Sequence, residues 1–273
     1  MNVAAASGRT LAKVLCVAGA VAAIAIAPAR AASCTAKSGP QSVPLVELYT
    51  SEGCNSCPPA DRWLSASFAK SAPRASGIAL AFHVDYWDRL GWKDRFATPA
   101  FTQRQQDSMR GSGARFVYTP QVIVQGKDFP QWQGPGAIAA LTTAAAKPAR
   151  AQIALAAERE HGSIVVKAWA RVPSAGDRKG AALYVALTED GLQSDVKAGE
   201  NAGVHLAHDN VVRAFRAAPS PDANGEMSWE VKLPVPAETG TASTVVAFVQ
   251  NPAGGDVLQA LALPLTAACQ PTR

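Results

Sequence analysis

The chain has 273 residues, roughly twice the usual size of one domain, so two domains are the first expectation. With 48% hydrophobic and 17% charged residues it has the balance of a packed protein, which excludes a disordered one. The net charge of +5 does not point to nucleic acid or an anionic membrane: Arg9, Lys13 and Arg30 fall within residues 1–31, which hold no acid, leaving +2 for the remainder.

Arg9 and Lys13 precede an apolar run over residues 14–27, followed by Pro28 and the small-x-small triplet Ala29-Arg30-Ala31. That order predicts a secretory signal peptide over residues 1–31, cleaved near Ala31. A membrane span needs about 20 apolar residues, and this run is shorter. Ala31-Ala32-Ser33-Cys34 also resembles a weak lipoprotein box, which would place a lipid on Cys34. No other segment has the length and apolarity to cross a membrane. The mature chain is expected in the periplasm or outside the cell, where disulfides persist.

Of five cysteines, Cys16 leaves with the signal and four remain. Cys54 and Cys57 form a C-x-x-C. Cys34 and Cys269 stand near the two ends of the mature chain, and an even count in an oxidising compartment favours pairing them as a structural disulfide. Closing so long a loop would stabilise the fold by roughly 5 kcal/mol on the chain-entropy model.

Thirteen of the 18 aromatic residues precede position 150, and a helical pattern ends near Lys147-Pro148. The domain boundary is therefore expected between residues 148 and 149. In the first part, residues 45–50 read as a strand and 58–70 as a helix with Pro58 and Pro59 at its start and Asp61 in its first turn. Residues 78–84 form an apolar strand. After an aromatic-rich loop, Thr98-Pro99 caps and opens a helix to about residue 110. Then come a strand over 121–125, a turn at Gly126-Lys127, a short strand, and a helix opened by Gly134-Pro135. The alternation predicts an α/β domain over residues 32–148. The second part has no long helical period. Seven short β-rich runs, 152–159, 163–172, 181–189, 211–217, 227–233, 244–250 and 257–263, predict a β-sandwich over residues 149–273.

The C-x-x-C lies where a strand and loop give way to a helix, and that placement has a chemical reason. Unpaired N–H groups and the positive end of the helix dipole stabilise a thiolate and make it nucleophilic at neutral pH. The two-residue spacer keeps the second thiol within reach to resolve a mixed disulfide. Cys54 is expected to be the exposed nucleophile and Cys57 the better-buried partner. A permanent structural disulfide is the competing reading. Structural zinc needs four Cys or His ligands, and no second C-x-x-C or paired-histidine motif is present.

The strand, C-x-x-C and helix order, with Thr119-Pro120 ahead of a strand, resembles the thioredoxin fold. That resemblance implies that Pro120 is cis, whereas an X-Pro bond is cis in only about 5% of cases. It also implies that Thr119 and Pro120 face the cysteines and hold a partner chain, and that Glu47 is a buried acid assisting proton transfer. The stretches VELYTSEGCNSCPPADRWL, FHVDYWDRLGWKDRFATPAFTQRQ, VYTPQVIVQG, GENAGVHLAHDNVVR and AFVQNPAGGDVLQAL are similar to the secreted family catalogued as domain of unknown function 1223. The similarity spans essentially the whole mature chain and implies a thioredoxin-like domain followed by a β domain, without supplying an activity.

Asp85-Tyr86-Trp87-Asp88 and Trp92-Lys93-Asp94 follow the second strand, at the sheet edge where open α/β folds build sites. Tyr86 and Trp87 are candidate substrate-binding residues there, or else an aromatic mini-core that packs the loop. His205 and His208, beside Asp209, are read as surface or interface residues rather than a metal site, and His83 as a core histidine. Three functions from different classes remain open. The first is a periplasmic thiol–disulfide oxidoreductase acting on protein or small-molecule thiols and disulfides. The second is a copper- or metal-handling protein on the same fold. The third is a non-catalytic binding module with Cys54–Cys57 as a staple. The sequence carries no nucleotide fingerprint or phosphate-cradling loop, so no cofactor is expected.

Overall fold

The structure of the protein, a computed structural model, describes residues 1–2, 34–68, 76–218, 220–236, 242–251, 255–266 and 269. The expected signal peptide and its cleavage near Ala31 lie outside the described residues, Met1 and Asn2 apart. In chain order the first elements are β1 (Cys34–Lys37), β2 (Leu45–Thr50), α1 (Pro58–Ser67), β3 (Ile78–His83), α2 (Pro99–Ser112), β4 (Gln121–Val124), β5 (Lys127–Asp128) and α3 (Gly136–Ala145). They are followed by β6 (Gln152–Glu160), β7 (Ser163–Arg171), the short α4 (Ala175–Arg178), β8 (Ala182–Asp190), β9 (Leu192–Asp195), β10 (His205–His208), β11 (Val211–Ala217), β12 (Glu226–Pro234), β13 (Ala242–Gln250) and β14 (Val257–Pro264). The protein is a mixed α/β structure, mostly β-sheet with few helices.

The local signals act as their chemistry requires. The Thr98 side chain accepts from the Phe101 N–H at 3.3 Å, capping α2, with Pro99 in the first helical position. The Pro58-Pro59 pair starts α1, whose buried stripe runs through Ala60, Asp61, Leu64 and Ser67. Each residue of β2 is buried, because both faces of this strand are covered. Val46 and Leu48 pack with Ala60 and Leu64 of α1. Leu45 and Tyr49 point the other way, into a core shared with Phe101 of α2.

One eight-stranded sheet runs β14-β13-β8-β11-β3-β2-β4-β5. At its centre β2 and β3 pair in parallel through the α1 crossover, with β4 antiparallel to β2. The other edge of β3 pairs in parallel with β11, at Ala81 and Val211, and β8, β13 and β14 continue the sheet antiparallel. A second, antiparallel sheet runs β1-β6-β7-β12. Ile153, Leu155, Ile164 and Val166 of that sheet share one core with Leu183, Val185, Leu187, Val245 and Val249 of the first.

All seven strands expected beyond residue 148 are present, but they divide between the two sheets, and the expected break at 148/149 separates neither. In the eight-stranded sheet the four later strands, β14-β13-β8-β11, join the four earlier ones, β3-β2-β4-β5, at the β11–β3 pair, and β1, from the first part, pairs with β6. Tyr49, Phe82 and Phe248 are among the largest fully buried side chains and occupy one core. Burying each such side chain contributes about 1.5–3 kcal/mol, so this shared core ties the two parts together. Residues 32–273 accordingly form one compact unit. The bare edge of β3 had to find a partner, and strand patterning says nothing about which strand that is. Three short strands, β1, β9 and β10, were not anticipated; β9 and β10 pair only with each other.

Cys34 and Cys269 are disulfide-bonded, their Cα atoms 5.0 Å apart and 235 positions apart in sequence. The bond engages the Cys34 sulfur that a lipid would require.

Candidate functional site

The loop after β2 brings Cys54 to the start of α1, and Cys57 is the helix N-cap residue. The two are disulfide-bonded with Cα atoms 5.4 Å apart. Successive turns shape the loop: the Cys54 N–H donates to Ser51 O and the Cys57 N–H to Cys54 O, both at 3.2 Å. The Ala60 N–H then donates to Cys57 O at 2.8 Å, closing the first helical turn. Asn55 and Ser56 are exposed, yet Cys54 and Cys57 are both fully buried. The expectation of an exposed Cys54 is thus corrected: neighbouring segments cover it.

Thr119 and Trp87 come from two of those segments. The Thr119 hydroxyl lies 3.4 Å from Cys54 Sγ and accepts from Trp87 Nε1–H at 2.7 Å. The Thr119–Pro120 peptide is cis. Trp87 lies against the backbone before Cys54 so closely that a Cβ on Gly53 would stand 3.1 Å from the Trp87 Cβ. Tyr86 is half-buried, its ring 6.4 Å from that of Trp87, and burial pushes its phenol up. The fold therefore gathers Cys54, Cys57, Tyr86, Trp87, Thr119 and Pro120 at one edge of the sheet.

Glu47 is not among them. It shares the parity of Leu45 and Tyr49 and so faces away from α1. There its Oε2 accepts from Arg104 Nε–H at 2.8 Å and from the Tyr49 hydroxyl at 2.9 Å. Its carboxylate belongs to the core beneath α2, and an acid on α1 stands nearer the cysteines. Asp61 follows Cys57 by one helical turn on the buried stripe of α1, and its Oδ2 accepts from the Thr50 hydroxyl at 3.2 Å. Helical side chains lean toward the N-terminus, which tips the Asp61 carboxyl toward the turn that carries Cys57. Burial pushes the Asp61 carboxyl up, and the charges of His208 and His83 pull it partly back.

Asp61 is one of five buried ionisable groups below the cysteine loop. His83 Nδ1 is 2.7 Å from Asp94 Oδ2, and Asp94 also accepts from the N–H groups of Glu52 and Phe96. Glu52 accepts from Trp92 Nε1–H at 2.7 Å, and its Oε1 is 3.5 Å from His208 Nε2. The His83 and His208 rings meet edge to face, centroids 5.0 Å apart. Burial pulls His83 down, but the charge and hydrogen bond of Asp94, with the charges of Asp61 and Glu52, outweigh it and raise the imidazole above its ordinary value. Burial likewise opposes ionisation of Asp94 and Glu52. His83 with the N–H groups of Glu52 and Phe96 outweighs it for Asp94, and His208, Ser194 and Trp92 outweigh it for Glu52, so both stay below the usual carboxylate range.

The connection from β9 to β10 completes the enclosure. The Asn201 side-chain amide donates to Glu52 O at 2.8 Å and to Cys54 O at 3.0 Å, and Glu200 Oε2 accepts from the Asn55 N–H. Gly199 sits at φ +71° against Trp92, where a Cβ would stand 3.3 Å from the Trp92 Cβ. The sequence gives no sign of this strap. Asp61 was marked in advance only as an acid in the first turn of its helix, and His208, read as a surface or interface residue, is buried against His83 and Glu52. His205, by contrast, is exposed and 2.8 Å from Asp195. Among the described residues no group of three or more His, Cys, Asp or Glu is arranged to hold a metal ion, and no helix is long and apolar enough to cross a membrane.

Fold and site together define a mixed α/β, mostly β protein with a C-x-x-C disulfide at a helix N-terminus, enclosed by the loop after β3, the Thr119 segment and the connection from β9 to β10. Residues 45–250 match the model of a family described as a protein of unknown function, DUF1223, and the chain belongs to that family. No curated protein matches it. Among solved structures it is similar to protein AGR_C_4864 from Agrobacterium tumefaciens, known from an X-ray crystal structure. The two are 25% identical, with a TM-score of 0.56, over 82% of this chain and 96% of that one. It is similar in fold to HBP35 of Porphyromonas gingivalis, at 14% identity and a TM-score of 0.61, covering 82% of this chain and 75% of that one.

Proposed function

We propose that the protein is a thiol–disulfide oxidoreductase acting outside the cytoplasm, built on a thioredoxin-like unit from β2 to α3. The observation that carries this reading is the Cys54–Cys57 disulfide at the N-terminus of α1, with the Thr119 hydroxyl 3.4 Å from Cys54 Sγ. The helix terminus favours a thiolate at the N-cap end, and Thr119 places a hydroxyl donor beside Cys54. Compartments that keep disulfides suit a chain with two of them, and the N-terminal residues suit export.

In the reductive direction a partner thiolate attacks Cys54 Sγ, and the electron pair of the Cys54–Cys57 bond goes to Cys57 Sγ, which then takes a proton. A second partner thiolate attacks the sulfur already bonded to Cys54. Cys54 leaves with that electron pair, and the partner departs as a disulfide. Two electrons enter the protein, and the reverse sequence returns them. Thr119 and Pro120, with Tyr86 and Trp87, would hold the extended partner chain beside Cys54.

The burial of both sulfurs favours a second reading, a permanent staple in a binding module. A trapping experiment separates the two. Cys57→Ser protein, reduced and then exposed to oxidised glutathione, is expected to hold one glutathione on Cys54, detected by mass; Cys54→Ser is expected to hold none on Cys57. Failure of Cys57→Ser to form the adduct while its thiol titrates as free leaves the staple reading standing.

A further inference from the structure

Among the described residues nine buried side-chain N or O atoms lack a close hydrogen-bond partner, and four of them lie in the cluster below the cysteines: His83 Nε2, His208 Nδ1, and Glu52 Oε1 and His208 Nε2, which face each other as an ion pair at 3.5 Å. Buried polar groups are nearly always paired, so such a concentration calls for a chemical reason. Three of the five ionisable side chains there, Asp61, His83 and His208, face one another from α1, β3 and β10. The groups around Asp61 are the Thr50 hydroxyl from β2, His83 from β3, Asp94 from the loop after it and His208 from β10. Burial favours the neutral form of Asp61, and the two histidines, ahead of the Thr50 hydrogen bond, oppose it. An acid kept neutral cannot accept a proton, so those histidines favour the form of Asp61 that can serve as a base.

We propose that His208, delivered by β10 from the far part of the chain, is a positioning residue for the resolving step: its ring favours the charged form of the Asp61 carboxylate that takes the proton of the Cys57 thiol. This rests on the oxidoreductase reading. Starting from the reduced protein, the Cys54 thiolate attacks a partner disulfide, forming a mixed disulfide and expelling one partner thiolate. Asp61 then takes the proton from Cys57, and the Cys57 thiolate attacks Cys54 Sγ. The bond between Cys54 and the partner breaks, the second partner thiolate leaves with its electron pair, and the protein is oxidised by two electrons. Without His208 the Asp61 carboxyl stays protonated to higher pH, and the step that needs its base form slows.

The test follows reduced protein reacting with dithiobis(nitrobenzoate), an aromatic disulfide whose released thiolate is coloured. Wild type is expected to release two equivalents in two phases, the first set by Cys54 and the second by Cys57. In His208→Gln the second phase at pH 7 is expected to slow about tenfold, its rise with pH displaced upward by about one unit, while the first phase is unchanged. A second phase that keeps its wild-type rate and pH profile overturns the proposal, as does equal slowing of both phases. Should His208→Gln not fold, the isosteric Asp61→Asn carries the same prediction for the second phase, with partial rescue by Asp61→Glu; a normal second phase in Asp61→Asn overturns it equally. If wild type itself releases no second equivalent, it is the oxidoreductase reading that fails.

Discussion

Glu47 and Asp61 show how much turns on the direction of one side chain. Glu47 is seven residues from Cys54 on the strand that leads to it, but successive side chains of a strand point to opposite faces. In a strand with apolar neighbours on both sides the sequence does not say which face meets α1. Glu47 falls on the far face, where the Arg104 guanidinium that pairs with it lies 4.6 Å from the Phe215 ring centroid and 5.0 Å from that of Tyr184. Removing one partner of a buried ion pair strands the other charge and costs about 3–5 kcal/mol. Arg104→Met is therefore expected to lose stability of that order in urea unfolding, with thiol exchange by the folded fraction unchanged. A loss below about 1 kcal/mol would show that Glu47 is not held there by Arg104. Helix spacing was the more legible signal: Asp61, four residues after Cys57, lies on the buried stripe as its period requires.

At the scale of elements, the start of α1, the Thr98 cap of α2 and the seven later strands were legible because each has a local cause. The strap between β9 and β10 was not. Its strands are four residues each, and its hold on the site is made by Asn201 and Glu200 across about 145 residues of sequence. A hydrogen bond of this kind contributes about 1 kcal/mol. Losing two of them in Asn201→Ala is expected to raise the frequency of opening about 5- to 30-fold. Iodoacetamide should then alkylate Cys54 in the reduced variant faster by that factor. Alkylation at the wild-type rate would mean that Asn201 does not govern access.

For the whole molecule, the join between the two expected parts was not legible because pairing at a sheet edge is a long-range choice. Aromatic density and a helix stop near residue 148 mark a change of local structure, while β11 beside β3 makes one sheet of both parts. The Cys34–Cys269 pairing was legible by elimination, since only two cysteines remained outside the C-x-x-C. Cys269→Ser is expected to cost about 2–5 kcal/mol in urea unfolding under oxidising conditions. Cys34→Ser should cost the same, and the double variant no more than either alone; a doubled loss would argue against the bond.

The reduction potential of Cys54–Cys57 tests the central claim most directly. It is measured by equilibrating the mature protein with glutathione or dithiothreitol buffers, with Cys54→Ser as the control that removes the couple. The account predicts a value between about −270 and −120 mV, the range of working oxidoreductases. A value below about −300 mV, as in structural disulfides, would contradict it and leave the bond a staple.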